Sequence, residues 1–144
     1  MNVIFGLIER DRRKIGLAGF ALAAIHSVMS LALLSPGYFP KFFNGAGTMT
    51  LAGELSTLLG VLALAGLVWM AALPAAGPSD DRRLLRRLGL GVLALTALHV
   101  AVMGWAGWFK VADWPAGLPP ITLISFVIAV LGLALGLLPR GRAE

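Results

Sequence analysis

Lys14-Ile-Gly-Leu-Ala-Gly-Phe-Ala-Leu-Ala-Ala-Ile-His26 and Arg87-Leu-Gly-Leu-Gly-Val-Leu-Ala-Leu-Thr-Ala-Leu-His99 are two copies of one pattern, 73 residues apart. Gly16/Gly89, Leu17/Leu90, Ala21/Ala94, Leu22/Leu95, Ala24/Ala97 and His26/His99 are identical pairs. Each copy runs from a basic residue through an unbroken apolar stretch to a histidine, and the chain has 2 histidines in all. An apolar run opened by a cation and carrying one ionisable ring within it reads as a membrane helix with a functional group inside. The pair reads as a parallel repeat of two helical hairpins related by an axis along the membrane normal.

Working outward, apolar runs long enough to cross about 30 Å of hydrocarbon at about 1.5 Å per residue are expected at about 15–34, 51–73, 88–109 and 120–138. Helix-ending residues separate them: Ser35-Pro36-Gly37, Pro74, Gly77-Pro78, Trp114-Pro115, Pro119-Pro120 and Pro139. Ser79-Asp80-Asp81 offers N-cap side chains ahead of the third. The first run is expected to remain in the mature protein, because its apolar core is too long for a signal peptide and no small-x-small site follows it. The expected fold is therefore all-α, an integral membrane four-helix bundle forming one domain over 1–144.

Composition agrees: 58% of residues are hydrophobic and 13% charged, with mean hydropathy +0.87, values outside the soluble range. The net charge of +5 does not signal nucleic acid, because the cations fall in short clusters between apolar runs. Arg10, Arg12, Arg13 and Lys14 precede the first span, Arg82, Arg83, Arg86 and Arg87 the third, and Arg140 and Arg142 follow the fourth, whereas only Lys41 and Lys110 lie on the other side. By the positive-inside rule both termini are expected in the cytoplasm, as in a multi-pass protein of the inner membrane. Tyr38, Phe39, Phe42, Phe43, Trp105, Trp108 and Trp114 suit an outer aromatic belt.

With no cysteine, there is no thiolate metal site and no covalent haem attachment, so a redox cofactor is held by histidine or methionine or without covalent help. Each histidine lies twelve residues beyond a basic residue, about 18 Å deep at 1.5 Å per residue. They are level with one another, nearer the outer face, on helices an up-down bundle sets diagonally across its core. Two facing imidazoles there suit the iron of one b-type haem. A lone intramembrane histidine hydrogen-bonded to a neighbour is the plainer alternative, and two histidines alone do not complete a structural zinc shell. Gly19, Leu22, Ala23, Met29 and Ser30 share the face of His26, and Val92, Leu95, Thr96, Val102 and Met103 that of His99. Met29 and Met103 are alternative ligands, or gap-fillers.

Leu98-His99 and Gly104-Trp105, continued by Trp108, Trp114 and Leu118-Pro119-Pro120, resemble the haem-binding part of the six-transmembrane STEAP metalloreductases. That family has a Leu-x-Gly…Leu-His-x-x-x-x-Gly-Trp pattern, and the wider ferric reductase and NADPH oxidase group shares its core. The resemblance spans about 10–140, as a minimal four-helix version, and puts His26 where the other haem ligand lies. It implies electron transfer from NADPH through FAD to haem and on to external ferric or cupric ions, in a trimer. This sequence lacks two of the family's helices and has no Gly-x-Gly-x-x-Gly fingerprint, so a separate NAD(P)H or flavin donor is expected. Arg82, Arg83, Arg86 and Arg87 are candidates to meet flavin phosphates, although topology already explains them. Trp69 is either a flavin or relay contact or an inner-belt anchor. Glu54 either assists a cation or proton near the haem edge, pairs with Lys41 or Lys110, or caps its helix. Lys41 and Lys110 are candidates for anionic chelates or haem propionates, or simply snorkel. Gly132-x-x-x-Gly136 marks close packing within the bundle or between copies. Two rival functions stay open: a quinol- or superoxide-linked cytochrome, and a haem-free membrane scaffold subunit.

Overall fold

A computed structural model describes residues 12–73 and 79–138, with side chains at 14–73 and 83–138. Four α-helices account for most of it: α1 (Arg12–Ala32), α2 (Leu51–Ala72), α3 (Ser79–Trp108) and α4 (Ile121–Leu137). No strand occurs among the described residues, only an isolated bridge between Phe43 and Met49. All four helical regions are long and apolar enough to cross a membrane, with mean hydropathies from 1.8 to 2.4. This is the anatomy of a multi-pass membrane protein.

Local chemistry sets the helix ends. The Thr50 hydroxyl accepts a hydrogen bond from the Gly53 amide at 3.2 Å and so caps α2. That helix stops at Ala72 because Leu73, ahead of Pro74, is extended at φ −72°, ψ 139°. Leu138, ahead of Pro139, ends α4 in the same way at φ −57°, ψ 135°. The largest departure from the sequence expectation is α3, which begins at Ser79 and not near 88, and has 30 residues. Arg82 to Arg87 contain neither proline nor glycine, so nothing in the sequence stops the helix from running through them. At about 1.5 Å per residue α3 is about 45 Å long. It exceeds the hydrocarbon, and its arginine turns lie beyond the apolar part.

In lipid, helices associate by close van der Waals approach, which favours small residues. The α2–α3 and α3–α4 interfaces follow this rule. On α2, Ser56 is fully buried, Ala63 is buried, and a Cβ on Gly66 would stand 2.6 Å from Val92 Cγ2 of α3. On α4, Gly132 and Gly136 receive Leu93 and Leu90 of α3, with a Cβ on Gly136 only 2.6 Å from Leu90 Cδ2. The Gly132-x-x-x-Gly136 motif is thus used inside the bundle. Arg86 donates from its guanidinium to the Gly136 carbonyl at 2.7 Å, which satisfies one of the acceptors left open in the last turn of α4.

The repeat in the sequence is not repeated in the packing. Among the described helices, α1 packs on α2, and none of its Cα atoms comes within 8 Å of α3 or α4. Helix α3 instead lies between α2 and α4 and packs on both. Three sides of a four-helix bundle are formed, and the α1–α4 side is open.

Candidate functional site: a cavity lined by two histidines

The space left by that open side is a cavity of about 400 Å³ to which all four helices contribute, within the range of small-molecule and cofactor sites. His26 and His99 both line it. It is mostly apolar, through side chains such as Leu64, Leu67, Val100 and Met103, with hydroxyls of Ser27, Ser30, Thr57 and Ser125 among them. Phe39 and Phe42, stacked at 5.7 Å, roof the end at which the 33–50 connection lies. Thr57 and Leu67 of α2 both line it, so it extends about 15 Å along that helix at 1.5 Å per residue.

The ring of His99 has a defined orientation. Its Nδ1 lies 2.7 Å from the Ser56 carbonyl oxygen and 3.1 Å from Ser56 Oγ. A carbonyl only accepts, so Nδ1 carries the proton and Nε2 holds the free lone pair. The Ser56 hydroxyl in turn donates to the His99 carbonyl at 3.4 Å. Behind the ring stands Gly60, where a Cβ would meet Nδ1 at 3.1 Å and Cε1 at 3.2 Å. An imidazole whose Nδ1–H is held by a main-chain carbonyl is the arrangement that orients a metal-binding Nε2. His26 is exposed at the cavity and has no hydrogen-bond partner among the described residues.

Of the faces expected around the histidines, Ala23, Ser30, Thr96 and Met103 line the cavity. Leu22 and Met29 point away and are exposed, while Val92 is buried against Gly66. Met103 therefore remains beside the cavity and Met29 does not. The belt expectation divides as well. Trp105 and Tyr38 are exposed, but Trp108 is buried, donates from Nε1 to Thr122 Oγ1 at 3.0 Å, and packs on Phe126 at 4.9 Å. Its indole passes over Gly104, where no Cβ has room, and this explains the glycine of the Gly104-Trp105 pair.

The remaining candidates lie elsewhere. Glu54 is exposed in the first turn of α2, where its charge complements the helix dipole, and forms no ion pair with Lys41 or Lys110. Both lysines are exposed in the connections and do not line the cavity. Trp69 is exposed near the end of α2 remote from Ser56. Arg83 and Arg87 are exposed, Arg86 is engaged at Gly136, and the Arg82 side chain lies outside the described set. Sequence reasoning missed Ser56 and Gly60. The signal was the small residues Gly53, Ser56, Gly60 and Ala63 at helical spacing on α2.

Two imidazoles do not complete the four-coordinate shell of a structural zinc, and among the described residues no three of His, Cys, Asp and Glu come together. The donor set suits a metal that brings its equatorial ligands with it. Fold and site together define a multi-pass helical membrane protein with a two-histidine intramembrane cavity. Comparisons with protein families, with curated proteins and with solved structures found no match to this chain.

Proposed function

We propose that the chain is a membrane-spanning b-type cytochrome, a minimal relative of the STEAP-type metalloreductase domain, in which His26 and His99 are the axial ligands of one haem. The observation that carries this reading is the one cavity lined by both histidines, with the His99 ring held through Nδ1 on the Ser56 carbonyl. Bound haem supplies a one-electron couple within the membrane. The chain's own residues do the rest: Ser56 holds the proton on Nδ1, Gly60 leaves room for the ring, and the apolar lining limits water. The acceptor in this reading is external ferric or cupric ion. The donor is a separate reductase or flavin, since these 144 residues contain no dinucleotide fingerprint.

Purified protein from haem-replete cells should show a b-type Soret band and sharp α and β bands on reduction. A colourless, folded protein would overturn the assignment and favour a scaffold role.

The reading also needs an orientation, with both termini in the cytoplasm and the histidines nearer the outer face. Cysteines placed singly in the cysteine-free chain at 44–48 should react with an impermeant maleimide added outside intact cells, and those at 78–83 should not. The reverse pattern would invert the topology.

A further inference from the structure

Helices α1 and α4 both line the histidine cavity, yet no Cα of one comes within 8 Å of the other. The other three neighbouring pairs, α1–α2, α2–α3 and α3–α4, are in contact. At the roof, the connection packs tightly on the start of α2: Phe42 accepts from the Thr50 amide at 2.7 Å, and its carbonyl would stand 2.8 Å from a Cβ on Gly53. The neighbouring pair without such contact is α1–α4, whose seam runs between two helices apolar enough to cross a membrane. It faces hydrocarbon.

The packing explains why the seam does not close. Helix α4 turns its small residues Ala129, Gly132 and Gly136 into the bundle, the two glycines onto α3, and membrane helices approach closely through such residues. That face is taken up by α3 and is not turned toward α1. The rim carries Leu31 and Ile121, which both line the cavity and are 50% and 75% exposed. Just inside are the Ser30 and Ser125 hydroxyls, which have no hydrogen-bond partner among the described residues. An apolar rim with unpaired donors behind it fits a ligand that dissolves in lipid and carries acceptors, for hydroxyls left unpaired in a dry cavity are costly.

We infer that the histidine cavity is loaded sideways from the bilayer, through the seam between α1 and α4, by a lipid-dissolved planar amphiphile. Resting on the reading above, that amphiphile is haem. Helix α1 is the movable wall, because α2 is the described helix on which it packs within 8 Å and none of its membrane-spanning window is buried. Ser30 and Ser125 are the first donors a carboxylate-bearing macrocycle meets on passing the rim.

The test uses the absence of native cysteine. A Leu31→Cys/Ile121→Cys protein is made haem-free, placed in liposomes, and bridged or not with a flexible bis-maleimide. Haem is then supplied in the lipid phase and the Soret band followed. The unbridged protein should load, and bridging should slow loading about tenfold or more. In protein loaded before bridging, loss of haem to an external acceptor should slow by a similar factor. A second arm needs no haem: Ser125→Cys should react faster with lipid-dissolved pyrene maleimide than with a charged, water-borne maleimide. Equal loading with and without the bridge, or faster reaction with the water-borne reagent, would overturn the lateral route. Preferential lipid-phase labelling in a protein that binds no haem would overturn the haem assignment while supporting the seam.

Discussion

His99→Ala is expected to remove nearly all bound haem, and His26→Ala to convert what remains to a five-coordinate, high-spin form. The difference follows from how the two rings are held. The His99 Nδ1–H is fixed on the Ser56 carbonyl at 2.7 Å, so the ring beside the cavity is already oriented. His26 has no hydrogen-bond partner among the described residues and must be ordered by the ligand itself, which costs about 0.5–1.5 kcal/mol of side-chain freedom. Losing the oriented ligand should therefore cost more affinity than losing the mobile one. Haem per protein by the pyridine haemochrome assay, with the absorbance spectrum, separates the two effects. Retention of the wild-type low-spin spectrum by either variant would be fatal to bis-histidine ligation.

Gly60→Leu should lower haem content about tenfold or more, in line with the cost of disturbing groups that orient a metal ligand. A Cβ at this position would stand 3.1 Å from Nδ1 and 3.2 Å from Cε1 of His99. Alanine asks the imidazole to give by a few tenths of an ångström, whereas leucine fills the place of the ring and breaks its bond to Ser56. Gly60→Ala should accordingly retain more haem than Gly60→Leu. Gly132→Ala is the packing control, since its Cβ would meet Leu93 Cδ1 and Cδ2 at an ordinary 3.4 and 3.7 Å. Fluorescence-detected size exclusion monitors folding in each case. Equal haem loss in Gly132→Ala and Gly60→Leu at equal folded yield would mean general loosening of the bundle, and Gly60 would have no role at the ligand.

Much of the molecule is local hydropathy, and that part is legible in the chain. Lipid requires long apolar runs whose backbone groups are paired within the helix. Proline, glycine and a threonine cap mark where they stop. The spans expected at 51–73 and 120–138 accordingly lie within two residues at each end of Leu51–Ala72 and Ile121–Leu137. The two histidines stand out for the same reason, as ionisable rings in hydrocarbon. Helix α3 exceeds its expected span because a helix is not obliged to end where its apolar stretch does.

Which faces meet is a different kind of fact, since it depends on contacts between residues far apart in the chain. Trp108 looks like a belt residue in sequence, but Gly104 and Thr122 make a slot for its indole and draw it inside. Ser56 and Gly60 look like ordinary small helix residues until α3 sets His99 against them. The 73-residue repeat by itself suggests two equivalent hairpins around two equivalent histidines. Packing removes the equivalence, because the small residues of both α2 and α4 are spent on α3 and leave α1 only α2 to rest on. The sequence alone determined four membrane helices and two histidines within them; tertiary packing decided that the His99 ring is held by Ser56 while His26 has no such partner among the described residues, in a cavity whose α1 and α4 walls do not approach within 8 Å.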